Sequence, residues 1–570
     1  MLANQIQKGL LFGALFVGIF SGAVNASPSI DSPNTPPQAA VATAHPMATR
    51  AGLEVLDQGG NAFDAAVAVS AALAVVEPYS SGLGGGGFWL LHRASDGFEV
   101  MVDGRERAPL KAHRDMYLDA QGEIIEGASI NGALAAGIPG EPAALDHLAK
   151  RYGKLPLHTS LAPAITLAEQ GFKVDKIYLR LAGFRKEALN QSSAAKIFLR
   201  DGDLPQLGEI VKQPDLANTL RALANEGRAG FYSGKVASKL VSGVQAAGGI
   251  WTEKDLHEYQ IIERKPVTGE FKGMRVTSAA LPSSGGIVLM EMLNQLEGVN
   301  LQALDEAGFD HVLTEVMRRA YRDRAEYMGD PDAIDVPESK LLSKAYATVL
   351  RETIQMNRAT PSTELSATAV VTPSPGDNTT HFSIIDREGN GVSATLSINY
   401  PFGSGFVPEG TGVLLNDEMD DFAAKPGVPN VYGLVGNEAN SIAPGKRMLS
   451  SMTPTFLNDG QRIAALGSPG GSRIITMVLF GALAFSEGAS AAEIVSLPRF
   501  HHQYLPDEIT FEPGALSTDL QSALKQKGHQ LKPQERDYGN MQAVVWDREN
   551  KTIEAASDPR GIGQAVPAAD

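Results

Sequence analysis

Two short runs of alternating residues, Phe382-Ser-Ile-Ile-Asp386 and Val392-Ser-Ala-Thr-Leu-Ser-Ile-Asn399, flank the glycine-punctuated turn Arg387-Glu-Gly-Asn-Gly391. Period-two alternation around a short turn predicts a β-hairpin, with the polar stretch Asn378-Thr379-Thr380-His381 at its mouth. A different pattern governs Asp64 to Val76, which apart from Asp64 and Ser70 is apolar and mostly small, on every face. A helix there has no polar face and must lie inside a layer. Asn61 is placed to cap it and Pro78 to stop it. Phe309 to Met328 has the amphipathic period with charged residues four apart, and Gly329-Asp330-Pro331 ends it. Helical patterns predominate between about 140 and 330, and alternating strands such as Ile463-Ala-Ala-Leu466 and Met541 to Trp546 return after 380. Such a mixture of strands and helices predicts an α/β layered fold.

Two stretches read as something other than folded body. At the N-terminus Lys8 precedes an apolar run, Leu10 to Phe20, followed by Val24-Asn25-Ala26. This is the pattern of a cleavable secretory signal over residues 1–26, too short for the roughly 20 apolar residues of a membrane span. The expected mature chain starts near Ser27 and is exported to the periplasm, without stable membrane insertion. A Pro/Ser-rich tether over 31–38 precedes a body that begins near Ala40. From Thr360 to Gly376 periodicity fails again in a Thr/Ser/Pro-rich segment, for which an exposed linker is the expectation.

Composition narrows the chemistry. With 65 acidic against 49 basic residues the formal charge is −16, so no nucleic-acid partner is expected, since such affinity rests on clustered Lys and Arg. The absence of cysteine removes disulfides, thiolate nucleophiles and zinc-cysteine sites. The histidines show no metal-ligand spacing, and adjacent His501 and His502 cannot face one ion from a regular strand, so neither metal nor cofactor is expected. Gly82 to Gly87 spells G-x-G-x-x-G, but a helix precedes it and the strand-like Phe88 to His92 follows, the reverse of a dinucleotide site. These glycines read as close backbone packing.

Candidate chemistry gathers around the hairpin mouth. Thr379 becomes an N-terminal nucleophile if Asn378-Thr379 is cut, because a terminal α-amine with a pKa of roughly 7.7 to 8.0 is a built-in base. Asn416-Asp-Glu-Met-Asp-Asp421 offers two carboxylates, Glu418 and Asp421, to one ammonium. Arg105 in Val102-Asp-Gly-Arg-Glu-Arg-Ala-Pro109 offers a fork to a carboxylate. Lys446-Arg-Met-Leu-Ser450-Ser451 supplies paired hydroxyls. Gly467-Ser-Pro-Gly-Gly-Ser472 exposes backbone N–H groups to an oxyanion. Each cluster taken alone also reads as an ordinary turn or solvated loop.

Together, and in this order, they resemble the γ-glutamyltranspeptidases of the N-terminal-nucleophile hydrolases, over nearly the whole mature chain. The matching segments are Gly59 to Ala66, Gly82 to Gly87, Asp103 to Pro109, Asp377 to His381, Leu415 to Phe422, Leu449 to Pro454, Gly467 to Ser472 and Pro498 to His502. The resemblance implies a four-layer αββα sandwich. It further implies self-cleavage between Asn378 and Thr379 into a large subunit, 27–378, and a small subunit, 379–570, that remain together as a heterodimer. Thr379 is then the nucleophile, supported by the hydroxyl of Ser397, which replaces a second threonine of the family pattern. Asn399, Glu418 and Asp421 would bind the α-amino group of a γ-glutamyl donor such as glutathione, and Arg105, Ser450 and Ser451 its α-carboxylate. Gly470 and Gly471 would form the oxyanion hole. Lys425 to Gly433 resembles a lid loop, with Tyr432 as the residue that closes over the donor. Water or the amine of an amino acid or dipeptide would accept the glutamyl group. Tyr400-Pro401 departs from the bacterial pattern on the acceptor side. A β-lactam (glutaryl or cephalosporin) acylase of the same family, and an inactive glutamyl-peptide-binding relative, are the competing readings.

Overall fold

The computed structural model describes residues 35–365 and 378–567; the expected signal peptide, most of the tether and residues 366–377 lie outside them. Thirteen strands make two antiparallel sheets: β1 (Ala40–Thr43), β2 (Gly86–Arg93), β3 (Phe98–Gly104), β4 (Ile262–Arg264), β5 (Val267–Phe271), β6 (Met274–Ser278), β7 (Thr380–Ile385), β8 (Gly391–Ser397), β9 (Thr455–Asn458), β10 (Arg462–Gly467), β11 (Gln542–Asp547), β12 (Thr552–Ser557) and β13 (Gln564–Pro567). The first sheet runs β13-β1-β7-β8-β2-β3-β4 and the second β12-β11-β10-β9-β6-β5. The helices used below are α1 (Pro46–Asp57), α2 (Ala62–Val76), α3 (Glu141–Arg151), α4 (Leu157–Gln170), α5 (Lys176–Asn190), α6 (Gly285–Glu297), α7 (Glu306–Tyr327) and α8 (Ile474–Ser486).

The two sheets face each other and helices cover both outer faces, so the expected αββα sandwich is the fold. Alternation along the hairpin decides which side chain meets which layer. Phe382, Ile384, Val392, Ala394 and Leu396 pack under α2, whose residues are all buried. The alternate positions are polar and meet the second sheet: Ser383 Oγ donates to the Gln542 carbonyl (3.2 Å) and Ser393 Oγ to that of Leu466 (3.1 Å). On the other flank α6 and α8 cover Val276, Leu457 and Val545 of the second sheet.

The predicted capping of α2 is present as a reciprocal pair. Phe63 and Asp64 N–H donate to Asn61 Oδ1, and Asn61 N–H donates to Asp64 Oδ2. The amphipathic helix starts earlier than its apolar period suggested, at Glu306, because Asp305 caps it through Gly308 N–H (2.7 Å). Strands β4 to β6 interrupt the helical region and were not legible from periodicity. The expected exposed linker is corrected in its first part: Thr360 and Ser362 are buried, and α7 holds them through Arg319 to Thr360 Oγ1 (3.2 Å) and Arg318 to Ser362 Oγ (2.8 Å). Polar composition reads the same whether the partner is water or a buried guanidinium.

Candidate active site

Thr379 stands one residue before β7, and the hairpin register pairs Thr380 with Leu396. Ser397 therefore falls opposite Thr379, and their hydroxyl oxygens are 3.2 Å apart. The β8–β2 register brings Gly86 beside Ser397. A Cβ on neighbouring Gly85 would lie 2.2 Å from the Ser397 carbonyl, and one on Gly84 2.0 Å from that of Leu414, so the glycine run is the close packing expected of it.

The Asn378–Thr379 junction is buried and strained. Thr379 has φ +110°, a conformation that a β-branched residue adopts at a cost of about 1 to 3 kcal/mol. Asn378 is fixed on both sides: its Nδ2 donates to the Tyr79 carbonyl, and Ser80 Oγ donates to its Oδ1 (3.3 Å). Its main-chain carbonyl accepts from Gly470 N–H at 3.3 Å. Gly470 has φ +137° and Gly471 φ +56°, so the turn that aims this N–H needs glycine. A hydroxyl on the residue after the carbonyl, a second hydroxyl beside it and a backbone donor on the carbonyl oxygen are the parts an N-to-O acyl shift requires.

The other candidates converge on a cavity of about 290 Å³ that Thr379 and Ser397 also line, together with Gly471, Tyr432, Ser450 and Ser451. Strand β3 ends at Gly104 and delivers Arg105, which is 1% exposed. Its guanidinium donates to Glu418 Oε2 and Asp421 Oδ2, both at 2.5 Å, and to the Met448 carbonyl (3.2 Å). Residues expected at opposite ends of a zwitterion are thus ion-paired with each other. Burial opposes the Arg105 charge, but the carboxylates of Glu418, Asp421 and Glu106 outweigh it and hold the guanidinium's pKa above its ordinary value. Burial pushes the Glu418 carboxyl up to about 7, against the pull of Arg105. Its Oε1 is buried and has no hydrogen-bond partner among the described residues, which suits an incoming N–H donor.

Asn399, at φ +71°, donates its N–H to Ser397 Oγ (2.8 Å) and its Nδ2 to the Asp417 carbonyl (3.1 Å). Ser450 Oγ accepts from Met452 N–H (3.1 Å) and Ser451 Oγ from Arg324 Nη2 (3.1 Å). Tyr432 lies over the glycines, where a Cβ on Gly471 would come within 2.6 Å of its ring, and its hydroxyl donates to the Asn399 carbonyl (2.6 Å). Tyr400 packs edge-on against Tyr432 and Phe184, with ring centroids 6.4 and 5.5 Å apart, so it backs the Tyr432 ring.

Sequence reasoning missed Arg324, Ser80 and Asp417. Arg324 is buried on α7 and joins Ser451 to Ser284 Oγ (2.9 Å); burial lowers its pKa. Nothing in the helical period marks it off from the other arginines of α7. Ser80 had a local signal, its place between the α2 stop and the glycine run. Among the described residues, one group of metal-ligand type has its atoms within 4.8 Å of one another, His311, Glu315 and His529. Glu315 is paired with Arg318 and Arg319, and His311 Nδ1 lies 2.8 Å from His529 Nε2, so a cation would have to displace three established contacts.

A family model described as Gamma-glutamyltranspeptidase matches residues 48–568. The chain is similar to the glutathione hydrolase proenzyme of Pseudomonas sp. (strain A14), with 44% identity over 93% of this chain and 92% of that one. Its counterpart in Escherichia coli (strain K12) is 41% identical over 92% and 91%. Among solved structures, cephalosporin acylase from Bacillus halodurans superposes with a TM-score of 0.81 at 28% identity, covering 96% of this chain and 99% of that one. Helicobacter pylori gamma-glutamyltranspeptidase gives a TM-score of 0.55 at 39% identity, covering 61% and 96%.

Proposed function

The chain belongs to the γ-glutamyltranspeptidase family, and from that premise we propose that it cuts itself at Asn378–Thr379 and carries γ-glutamyl groups on the freed Thr379. It is a γ-glutamyltransferase and glutathione hydrolase, the activity its relatives' names carry. The observation that carries the self-processing reading is the strained junction, where Gly470 N–H meets the Asn378 carbonyl and Ser397 meets the Thr379 hydroxyl.

In processing, Thr379 Oγ attacks the Asn378 carbonyl carbon. The C–Oγ bond forms, the C–N bond breaks and the hydroxyl proton passes to the leaving nitrogen. Water then hydrolyses the ester, leaving an Asn378 carboxylate and a free Thr379 α-amine. That amine is the base for the second reaction, in which the same Oγ attacks the donor's γ-carbonyl. The Gly470–Gly471 turn is the donor pair for the oxyanion. Arg105, Ser450 and Ser451 are assigned to the donor's α-carboxylate, and Glu418, Asp421 and Asn399 to its α-ammonium, in exchange for the internal ion pairs. Holding both charges fixes the γ-carbonyl near Oγ, and such orientation is worth about 7 to 11 kcal/mol of a barrier. Retention of both charge anchors favours a γ-glutamyl over a glutaryl or cephalosporin substrate, although the Bacillus halodurans neighbour is a cephalosporin acylase.

The mature enzyme is assigned to the periplasm as a heterodimer of 27–378 and 379–570, on the strength of the N-terminal pattern; among the described residues no helix is long and apolar enough to cross a membrane. Intact-mass measurement of active protein tests the mechanism: two chains, the second beginning at Thr379, are expected. A single uncut chain that turns over a γ-glutamyl anilide would overturn it.

A further inference from the structure

Helix α7 carries four arginines, and three of them have carboxylate partners: Arg318 and Arg319 pair with Glu315, and Arg322 pairs with Asp323. Arg324 is the exception. It is 5% exposed, and among the described residues no carboxylate lies within ion-pair distance of its guanidinium. Asp421, whose field reaches it, is already held by Arg105. A buried charge without a counter-ion is costly to a fold, so this position calls for an anion from outside the chain.

What Arg324 touches sets where that anion lies. Its Nη2 donates to Ser451 Oγ at 3.1 Å and its Nε to Ser284 Oγ at 2.9 Å. A guanidinium has donors and no acceptor, so each hydroxyl must accept from it and turn its own hydrogen elsewhere. Ser284, which precedes α6, spends that hydrogen on the Ser450 carbonyl (2.7 Å). Ser451 has no acceptor for its hydrogen among the described residues, and it lines the cavity of about 290 Å³ together with Ser450 and Arg105. Ser450 Oγ accepts from the Met452 N–H, so its hydrogen is free in the same way but is oriented by a neutral group. One turn earlier on the same face of α7, the Tyr321 hydroxyl donates to the Ser472 carbonyl, beside the Gly470–Gly471 turn.

We propose that Arg324 is a positioning residue for the donor's α-carboxylate: it stands behind Ser451, fixes that hydroxyl as a donor into the cavity, and through it adds a second positive charge to the one Arg105 supplies. This rests on the γ-glutamyl donor reading above. Arg324 is not among the residues that line the cavity, so its action passes through Ser451. The carboxylate lies away from the bond that breaks and is held alike in ground and transition states, so the effect belongs to KM more than to kcat.

The test uses the mature enzyme and two donors, γ-glutamyl p-nitroanilide and 4-aminobutyryl p-nitroanilide, which is the same molecule without the α-carboxylate. Arg324→Gln is expected to raise the KM of the first about tenfold, the size of one charged hydrogen bond, with kcat within about threefold of wild type. The preference for the first donor, as a ratio of kcat/KM values, is expected to fall by about the same factor. A purely structural role would lower both donors alike, so an unchanged preference overturns the proposal. If Arg324→Gln does not mature, Ser451→Ala and Ser450→Ala carry the test. Ser451→Ala is expected to lose about threefold more of the preference, because charge-assisted hydrogen bonds are the stronger ones, and equal losses overturn the proposal. A wild type with no preference for the γ-glutamyl anilide would instead sink the donor reading, and this proposal with it.

Discussion

At the scale of single residues, the site depends on groups that cannot be exchanged for nominal equivalents. Arg105 satisfies Glu418, Asp421 and the Met448 carbonyl from three nitrogens in one plane, which a lysine ammonium cannot do. Arg105→Lys is expected to raise the KM for a γ-glutamyl anilide at least tenfold, since charged hydrogen bonds are worth about 1.5 to 3 kcal/mol. An unchanged KM would place the donor's carboxylate elsewhere. Ser397 has two duties, facing Thr379 Oγ and accepting from Asn399 N–H. Ser397→Ala removes the support and orphans a buried N–H at about 1 to 3 kcal/mol, so precursor should persist on a denaturing gel long after wild type is cut. Ser397→Thr keeps the hydroxyl and should process. If the alanine variant matures at the wild-type rate, Ser397 has no part in cleavage.

At the scale of elements, the loop from Lys425 to Gly433 and α3 make separate demands. Tyr432 contributes a ring against Gly471 and a hydroxyl on the Asn399 carbonyl. Tyr432→Phe keeps the first and loses a bond worth about 1 kcal/mol, so a donor KM several-fold higher is expected, with a much larger loss in Tyr432→Ala. Equal kinetics in the two variants would mean that the loop does not close on the donor. Glu141 opens α3 fully buried, and neither of its oxygens has a partner among the described residues. Burial pushes its carboxyl up to about 8. The folded chain therefore holds this proton more tightly than the unfolded chain. The contribution is full below the ordinary carboxylate pKa and is lost as pH rises through 8, a change of order 5 kcal/mol. Calorimetry from pH 6 to 9 should show a falling Tm in wild type and a shallower fall in Glu141→Gln; parallel curves would mean Glu141 is solvated.

At the scale of the whole molecule, the proposed cut falls between strands that remain woven together. In the first sheet β7, β8 and β13 from beyond Thr379 alternate with β1, β2 and β3 from before it, and in the second β9 pairs with β6. Separating the two chains would break three ladders in the first sheet and one in the second, exposing the core. Native mass spectrometry should therefore find both chains in one particle even after complete cleavage, and residues 379–570 expressed alone should not fold. Dissociation of the cut chains without denaturant would contradict this.

What the sequence determined by itself was whatever a local period or a short-range cap specifies: the hairpin around Arg387 to Gly391, the buried helix stopped at Pro78, and the motifs whose order implied both the sandwich and the anchors. Register inside the hairpin was not: runs ending at Asp386 and starting at Val392 would by themselves set Asn399 opposite Thr379, whereas the observed ladder pairs Ile385 with Gly391 and so puts Ser397 there. The tertiary structure decided what depends on partners far along the chain. It paired Arg105 with Glu418 and Asp421, brought Arg324 to Ser451, buried Thr360 and Ser362 under α7, and left Thr379 at φ +110° with Gly470 on the carbonyl before it. The physical reason is the same in each case. Charge and polarity are properties of a residue, but whether they face water, a counter-ion or a strained peptide is set by packing between layers, which no window of sequence contains.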